Sequence, residues 1–402
     1  MSFLKTAVAA SLLACTALIS SAQAQEEVKI GVMTDMSSVF SDIVGDGSVL
    51  AAQMAVDDFI AAEKPDFKIT VVSADHTSKA DVASNLARTW IDQDGVDVLA
   101  DVAGASVTLA VSKIGAEKDK IVLATASGQN SLSGADCQPT TLHWTYNTRA
   151  VSGAAAREIA KDGGKKWYFL TADYAGGRSL EEDATEGLKA EGGEVVGSVK
   201  HPFNEQDYSS YLLQAQGSGA DVIAFANSGG PFVNAMKQAR EYGLHNQAQL
   251  VGLLPNVVDL HTLGLEAAQG MTLVDPMYWG YSDETKAWSK RFFDKMGRMP
   301  TYFQAGLYSG ILHYLKAVKA AGTDETQAVL AKMRELPIED PFSKNAKIRE
   351  DNMVVRDMAL YRVKSPDKAE DEWDLYEFVR MIPADVAFRS VEEGGCPLVK
   401  KQ

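Results

Sequence analysis

The sequence predicts an α/β protein of two Rossmann-like lobes, each with a parallel central sheet, joined by a hinge of several strands. Three observations carry this. Short apolar runs alternate with amphipathic helical stretches, the pattern of a parallel sheet covered by helices. The same pattern restarts roughly 130 residues further on, a repeat of domain size rather than of solenoid size. The chain has 402 residues, enough for two domains with sizeable cores.

The elements follow in order. Strand-like runs at 28–33, 67–72, 96–100 and 121–124 form the first set. After the first of them, Val49, Ala52, Val56 and Phe59 fall on one helical face. Gly163-Gly164 marks a turn, and the order restarts with runs at 167–171, 194–197, 221–226 and 250–254. From about 275 the chain carries helical stretches at 287–296, with Trp288, Phe292 and Phe293 on one side, and at 306–321. Late strand-like runs lie at 358–361 and 373–379. If these pieces complete both lobes, the chain crosses between them more than once and makes a hinge beside a cleft. In such sheets a ligand lies beyond the C-terminal strand ends, where loops of both lobes meet.

The N-terminus reads as an export signal. Lys5 sits in a short positive segment, residues 6–19 are apolar or small, and Ser21-Ala22-Gln23-Ala24 ends in an Ala-x-Ala pattern, which predicts cleavage after Ala24. The apolar stretch is shorter than the ~20 residues a membrane anchor needs. The alternative is lipidation at Cys15, because Leu12-Leu13-Ala14-Cys15 loosely resembles a lipoprotein box. Two cysteines remain, Cys137 and Cys396. In an oxidising compartment an even number suggests a bridge tying down the C-terminus, the alternative being two buried thiols.

Composition narrows the function. With 46% hydrophobic and 23% charged residues, extended disorder, collagen-like repeats and a disulfide scaffold are excluded. A net charge of −15, which loss of Lys5 with the signal takes to −16, argues against a nucleic-acid partner and an anionic membrane surface. Catalytic patterns are thin. Gly45-Asp46-Gly47 lacks the third glycine of a dinucleotide loop, and the six histidines show no metal-ligand spacing. No nucleophile elbow occurs, and adjacent acidic pairs such as Asp57-Asp58 point apart on a helix. No catalytic residue, metal or cofactor is expected. Two polar loops stand out instead. Ala103-Gly104-Ala105-Ser106 opens a helical run, and Thr125-Ala126-Ser127-Gly128-Gln129-Asn130 follows the next strand. Amides at helix starts can hold a carboxylate without an arginine. The plainer reading of Ser106 is an ordinary helix cap.

The chain resembles the solute-binding proteins of ABC importers of the branched-chain amino acid (Leu/Ile/Val) class, the type I periplasmic binding fold. The opening Ile30-Gly31-Val32 strand with Met36-Ser37-Ser38 and Gly45-Asp46-Gly47 carries the resemblance, as do Asp173-Tyr174-Ala175-Gly176-Gly177 and Asp207-Tyr208-Ser209-Ser210-Tyr211. The helix from Lys237 to Leu244 completes it. The resemblance implies a first lobe of 25–147 plus about 276–357 and a second of 148–275 plus about 358–385. A tail of 386–402 would be tied back to the first lobe, and 1–24 would be the signal.

Carried over residue by residue, Ser106 holds the ligand carboxylate, Ser127 and Gln129 complete that grip, and Tyr174 closes over the ligand. Ser41 and Val107 lie beside these positions, and Asn227 and Ser228 occupy the loop where a second aromatic usually sits. Gln129 replaces the usual threonine. Leu254 stands where amino-acid-binding members place a glutamate for the ammonium, so the expected ligand is a small carboxylate without an α-amino group, lying against Phe40, Tyr174, Tyr278, Trp279 and Phe303. Similar proteins take aromatic acids. The resemblance thus implies a monomeric periplasmic binder that closes on an aromatic acid and presents it to ABC permease subunits, without catalysis. The alternatives are branched-chain amino acid or amide binding, or a ligand-sensing subunit for a receptor.

Overall fold

The computed structural model describes residues 27–399. The predicted signal, its cleavage point after Ala24, and Cys15 lie outside the described residues.

The first sheet is built from β1 (Glu27–Thr34), β2 (Lys68–Asp75), β3 (Val98–Asp101), β4 (Ile121–Ala124) and β5 (Thr141–His143), all parallel in the order β2-β1-β3-β4-β5. Helices α1 (Gly45–Glu63), α2 (Ala80–Asp92) and α3 (Ala105–Glu117) connect them. All four residues of both β3 and β4 are buried, which is why those runs are apolar without alternation. The second sheet repeats the order. After α4 (Ala154–Lys161) come β6 (Lys166–Ala172), α5 (Ala175–Ala190), β7 (Glu194–His201), α6 (Ser209–Gln216), β8 (Val222–Ala226), α7 (Gly229–Glu241) and β9 (Gln249–Gly252). Its strands are parallel in the order β7-β6-β8-β9. The two halves share one topology, as the restarted sequence pattern predicts.

The remainder completes both lobes. After α8 (Val257–Leu263), α9 (Leu265–Ala268) and β10 (Thr272–Asp275) the chain passes into α10 (Asp283–Met296), α11 (Tyr302–Ala321) and α12 (Thr326–Glu335). Leu307, Ile311 and Leu315 of α11 pack with Val28, Val98 and Leu123 of the first sheet. A small antiparallel sheet follows, of β11 (Ile338–Asp340), β12 (Ser343–Ile348) and β13 (Val354–Val355). The chain then returns in β14 (Met358–Val363) and β15 (Tyr376–Ile382), which pair antiparallel in the order β10-β14-β15 and pack with the second lobe's core. The segments α13 (Ala384–Ala387) and α14 (Val391–Gly394) lead to Cys396, which is bonded to Cys137 across 259 residues of chain.

Two capping boxes set the approach of α11 and α10. Ser282 with Thr285 and Thr301 with Gln304 exchange side-chain and backbone hydrogen bonds at the helix starts. Thr301 Oγ1 and Gln304 Nε2 also donate to the carbonyls of Ile43 and Val44, at 2.8 and 3.0 Å. A Cβ on Gly47 would lie 2.1 Å from Gln304 Nε2, so only glycine admits this contact. Gly45-Asp46-Gly47 is therefore a packing feature.

Candidate ligand-binding cleft

The order of each sheet reverses beside its first strand, between β1 and β3 and between β6 and β8, and a crevice at such a point receives ligands. A cavity holding about 500 Å³ of space lies there. Phe40, Ile43 and Val44 come to it from the loop after β1, Ala103–Ala105 from β3, and 126–129 from β4. Tyr146 and Thr148 follow β5, Tyr174 and Gly176 follow β6, Ser228 follows β8, Leu254 follows β9, and Phe303 lies in the first turn of α11. Every parallel strand except the edge strands β2 and β7 thus contributes its C-terminal loop.

The polar groups of the wall are arranged for an anion. The loop at 126–129 has its carbonyls occupied. Gly104 N–H donates to Ala126 O at 3.1 Å, His143 Nε2–H to Ser127 O at 2.7 Å, and Thr148 N–H to Gly128 O at 2.8 Å. Burial pushes the His143 imidazolium down to about 4, so the ring is neutral and its Nε2–H is available for that bond. Ser127 Oγ is buried with no partner. Opposite it, α3 begins at Gly104 and α5 at Tyr174, and neither has a side-chain cap. Their first N–H groups have no intrahelical acceptor, and both helix starts face the cavity.

Local strain aims α3. Asp101 (φ 70°) and Val102 (φ 51°) adopt left-handed backbone, which is costly for a β-branched residue, and Gly104 (φ 93°) follows. Thr125 Oγ1 donates to the buried Asp101 carboxyl at 3.2 Å. Burial raises that carboxyl to about 6, against hydrogen bonds from Thr34, Ser48 and Thr125.

The apolar wall is aromatic. Tyr146 meets Phe303 edge-on at 5.5 Å. At the mouth, Phe40 packs on Phe203 at 5.5 Å and Phe203 on Tyr174 at 4.4 Å, a clasp of three rings from both lobes. Asp35 holds the Phe40 loop. Burial raises its carboxyl, but bonds from Ser38 and Ser78 and from the Ser38 and Phe40 N–H groups outweigh this and leave it below the usual value. Ser179 Oγ donates to Gln129 Oε1 at 3.1 Å, linking α5 to the first lobe's loop. No Asp, Glu, His, Lys or Arg lines the cavity.

Of the residues expected from the sequence, Phe40, Ser127, Gln129, Tyr174, Ser228, Leu254 and Phe303 meet at this wall. Ser106 is exposed at the second position of α3, and Ala105 and the Gly104 backbone take the place facing the cavity. Val107 packs in the core between the first sheet and α2 and α3. Asn227 is fully buried, with no hydrogen-bond partner for its amide. Ser41 lies in the Phe40 loop but off the wall. Tyr278 and Trp279 sit in the second lobe's core, Tyr278 stacked on Tyr376 at 4.4 Å. Sequence reasoning missed Tyr146, Thr148 and Phe203. Of these only Phe203 carried a local signal, an aromatic just after a strand end.

The chain matches the family described as Periplasmic binding protein over residues 27–370. It is similar to a solved periplasmic binding protein from Burkholderia mallei, 41% identical with a TM-score of 0.90, over 93% of this chain and 100% of that one. It is also similar to a branched chain amino acid ABC transporter periplasmic ligand-binding protein from Burkholderia xenovorans LB400, 37% identical with a TM-score of 0.83, over 92% and 99%. A more distant R. palustris solute-binding protein in complex with benzoate shares the fold, 21% identical with a TM-score of 0.81, over 92% and 99%.

Proposed function

The chain belongs to the periplasmic binding protein family, and we propose that its cleft captures a small aryl carboxylate lacking an α-amino group for an ABC importer. The observation that carries this reading is the wall itself. It offers unpartnered amides and the Ser127 hydroxyl at one end, aromatic rings and Leu254 elsewhere, and no ionised side chain. A carboxylate gains from helix-terminal amides, each terminus contributing about 0.3–2 kcal/mol. An ammonium would be buried without a counter-charge, which is strongly unfavourable. A flat ring fits between Phe40, Tyr146, Tyr174 and Phe303. That the same fold holds benzoate in a distant protein shows that such a ligand suits the architecture.

In this reading the protein acts by hinge closure. The Phe40–Phe203–Tyr174 clasp and the Gln129–Ser179 bond form only when the lobes approach, so they report the closed state. The closed form is what permease subunits in the inner membrane would engage, and the ligand leaves unchanged. Calorimetry with benzoate, hydroxybenzoates, cinnamate, leucine and valine tests the assignment. Binding of an aryl acid with none for the amino acids is expected, and tight leucine or valine binding without any aryl acid would overturn it.

A further inference from the structure

A second cavity, holding about 1210 Å³ of space, lies among the strands that join the lobes and shares no residue with the cleft. Its wall combines the segments after β10 and β13, the start of α10, the β11–β12 turn and β14. Three aromatic rings, Tyr278, Tyr361 and Phe342, line it, and Tyr281 stands at the rim, 53% exposed beside the exposed Phe378 and Met381. Large apolar side chains left in water at a cavity mouth mark a binding surface more often than a chance exposure.

Two buried donors in this wall have no acceptor. Arg356 is 4% exposed. It donates from Nη1 to Ser343 Oγ and from Nη2 to Trp144 O, both at 3.0 Å, and its Nε is left without a partner. Tyr278 Oη, on a side chain 5% exposed, is likewise unpartnered. The buried Asp275 carboxyl accepts from Met277 N–H at 2.8 Å, and burial raises it to about 7, so it too can donate. The remaining charges stand at the rim. Lys344 is paired with Glu284 at 2.5 Å, Asp357 accepts from Ala384 N–H at 2.9 Å, and Asp283 lies in the first turn of α10. Buried donors are nearly always satisfied in native proteins, so an unsatisfied pair facing a large cavity calls for an acceptor.

We propose that this hinge cavity is a second ligand site, for a small aromatic molecule bearing a carbonyl or carboxylate oxygen, its ring between the tyrosines and its oxygen on Arg356 and Tyr278. The site is independent of the ligand assigned to the cleft. Because its wall joins both lobes, an occupant that prefers one hinge angle shifts the affinity of the cleft, and the reverse holds equally.

Methionine methyl NMR separates the two sites, since Met277 and Met381 line the hinge cavity and no methionine lines the cleft. Benzoate and benzamide, titrated to millimolar concentration, serve as charged and neutral probes. The experiment is run on the wild type and on Leu254→Trp, which fills the cleft. The Met277 and Met381 signals are expected to titrate with at least one probe in both proteins. In Tyr281→Ala the apparent affinity is expected to fall about fivefold, the size of one aromatic contact. The proposal is overturned if neither signal moves with either probe, or if the movement disappears in Leu254→Trp, because it would then report closure of the cleft alone. It is equally overturned if Tyr281→Ala leaves the titration unchanged.

Discussion

Ser127 shows how one side chain can serve the ligand at the expense of the fold. Its hydroxyl is buried without a hydrogen bond, a condition that costs about 1–3 kcal/mol. Ser127→Ala removes the orphan, so the ligand-free protein is expected to gain up to about 1 kcal/mol while losing about tenfold in aryl acid affinity. Thermal unfolding and calorimetry on the same variant measure both. A variant that loses stability and binds as before would make Ser127 structural. Leu254 tests the charge logic from the other side. Placing a carboxylate there, as in Leu254→Glu, sets like charges in a site of low polarity and is expected to abolish aryl acid binding. Retained affinity would mean that Leu254 does not face the acid. Both residues could be picked from the sequence, since each follows a recognisable strand. Ser106 could not be placed so simply. Whether residue 105 or 106 faces the cleft depends on helix phase, which the left-handed turn at Asp101 and Val102 sets, and nothing in the local composition announces that turn.

At the scale of elements, three helices start near the cleft but only two are open to a ligand. Helices α3 and α5 have bare N-termini, whereas at α7 the Asp259 carboxyl accepts from Gly229 N–H at 3.2 Å and from Asn256 Nδ2 at 2.6 Å. Burial raises this carboxyl from 3.8 to about 7, against those hydrogen bonds. Because the folded value lies above the unfolded one, the bound proton stabilises the fold fully below pH 3.8, and that contribution is lost as pH rises to about 7. Asp259→Asn keeps an acceptor and removes the titration. From about pH 6 to pH 8 the wild type is therefore expected to lose about 1 kcal/mol relative to the variant. Denaturant unfolding of both proteins at the two pH values reads the difference directly, and parallel pH profiles would refute it. Aryl acid affinity should fall over the same range in the wild type, because Ser228 at the head of α7 lies in the cleft wall and the ionised carboxylate repels an anion. The eight strand-like runs that defined the two sheets were legible because buried parallel strands are continuously apolar. β5 has three residues, β10 has four, and β11–β13 are short and partly polar, so none rises above its surroundings. The last strand starts at Tyr376 rather than 373 because Trp373 belongs to a turn, its N–H bonded to Asp371 and its ring stacked on His261 at 3.8 Å.

At the scale of the whole molecule, the C-terminal segment ties both lobes to the loop that lines the cleft. Cys396 is bonded to Cys137, ten residues beyond Ser127 in the same connection. Seven residues before Cys396, Arg389 pairs with Asp183 at 3.1 Å and with Glu186 at 2.8 Å, both on α5 of the second lobe. Asp183 also accepts from Thr148 Oγ1 at 2.6 Å and from Asn130 Nδ2 at 2.5 Å, so one buried carboxylate collects the tail, the hinge and the cleft loop. Two cysteines far apart in sequence suggested a bridge, but the strap it completes depends on where α5 stands in the fold and could not be read from spacing. The disulfide closes a loop of 259 residues, for which the chain-entropy model gives an upper bound of about 5 kcal/mol. The double variant Cys137→Ser, Cys396→Ser is expected to fold, to unfold at lower temperature, and to release a cleft ligand faster, because the 126–129 loop loses its covalent anchor. Thiol titration of the denatured, unreduced wild type should find no reactive thiol. Two free thiols, or a double variant equal to the wild type in both unfolding temperature and ligand release, would show that the strap contributes nothing to closure.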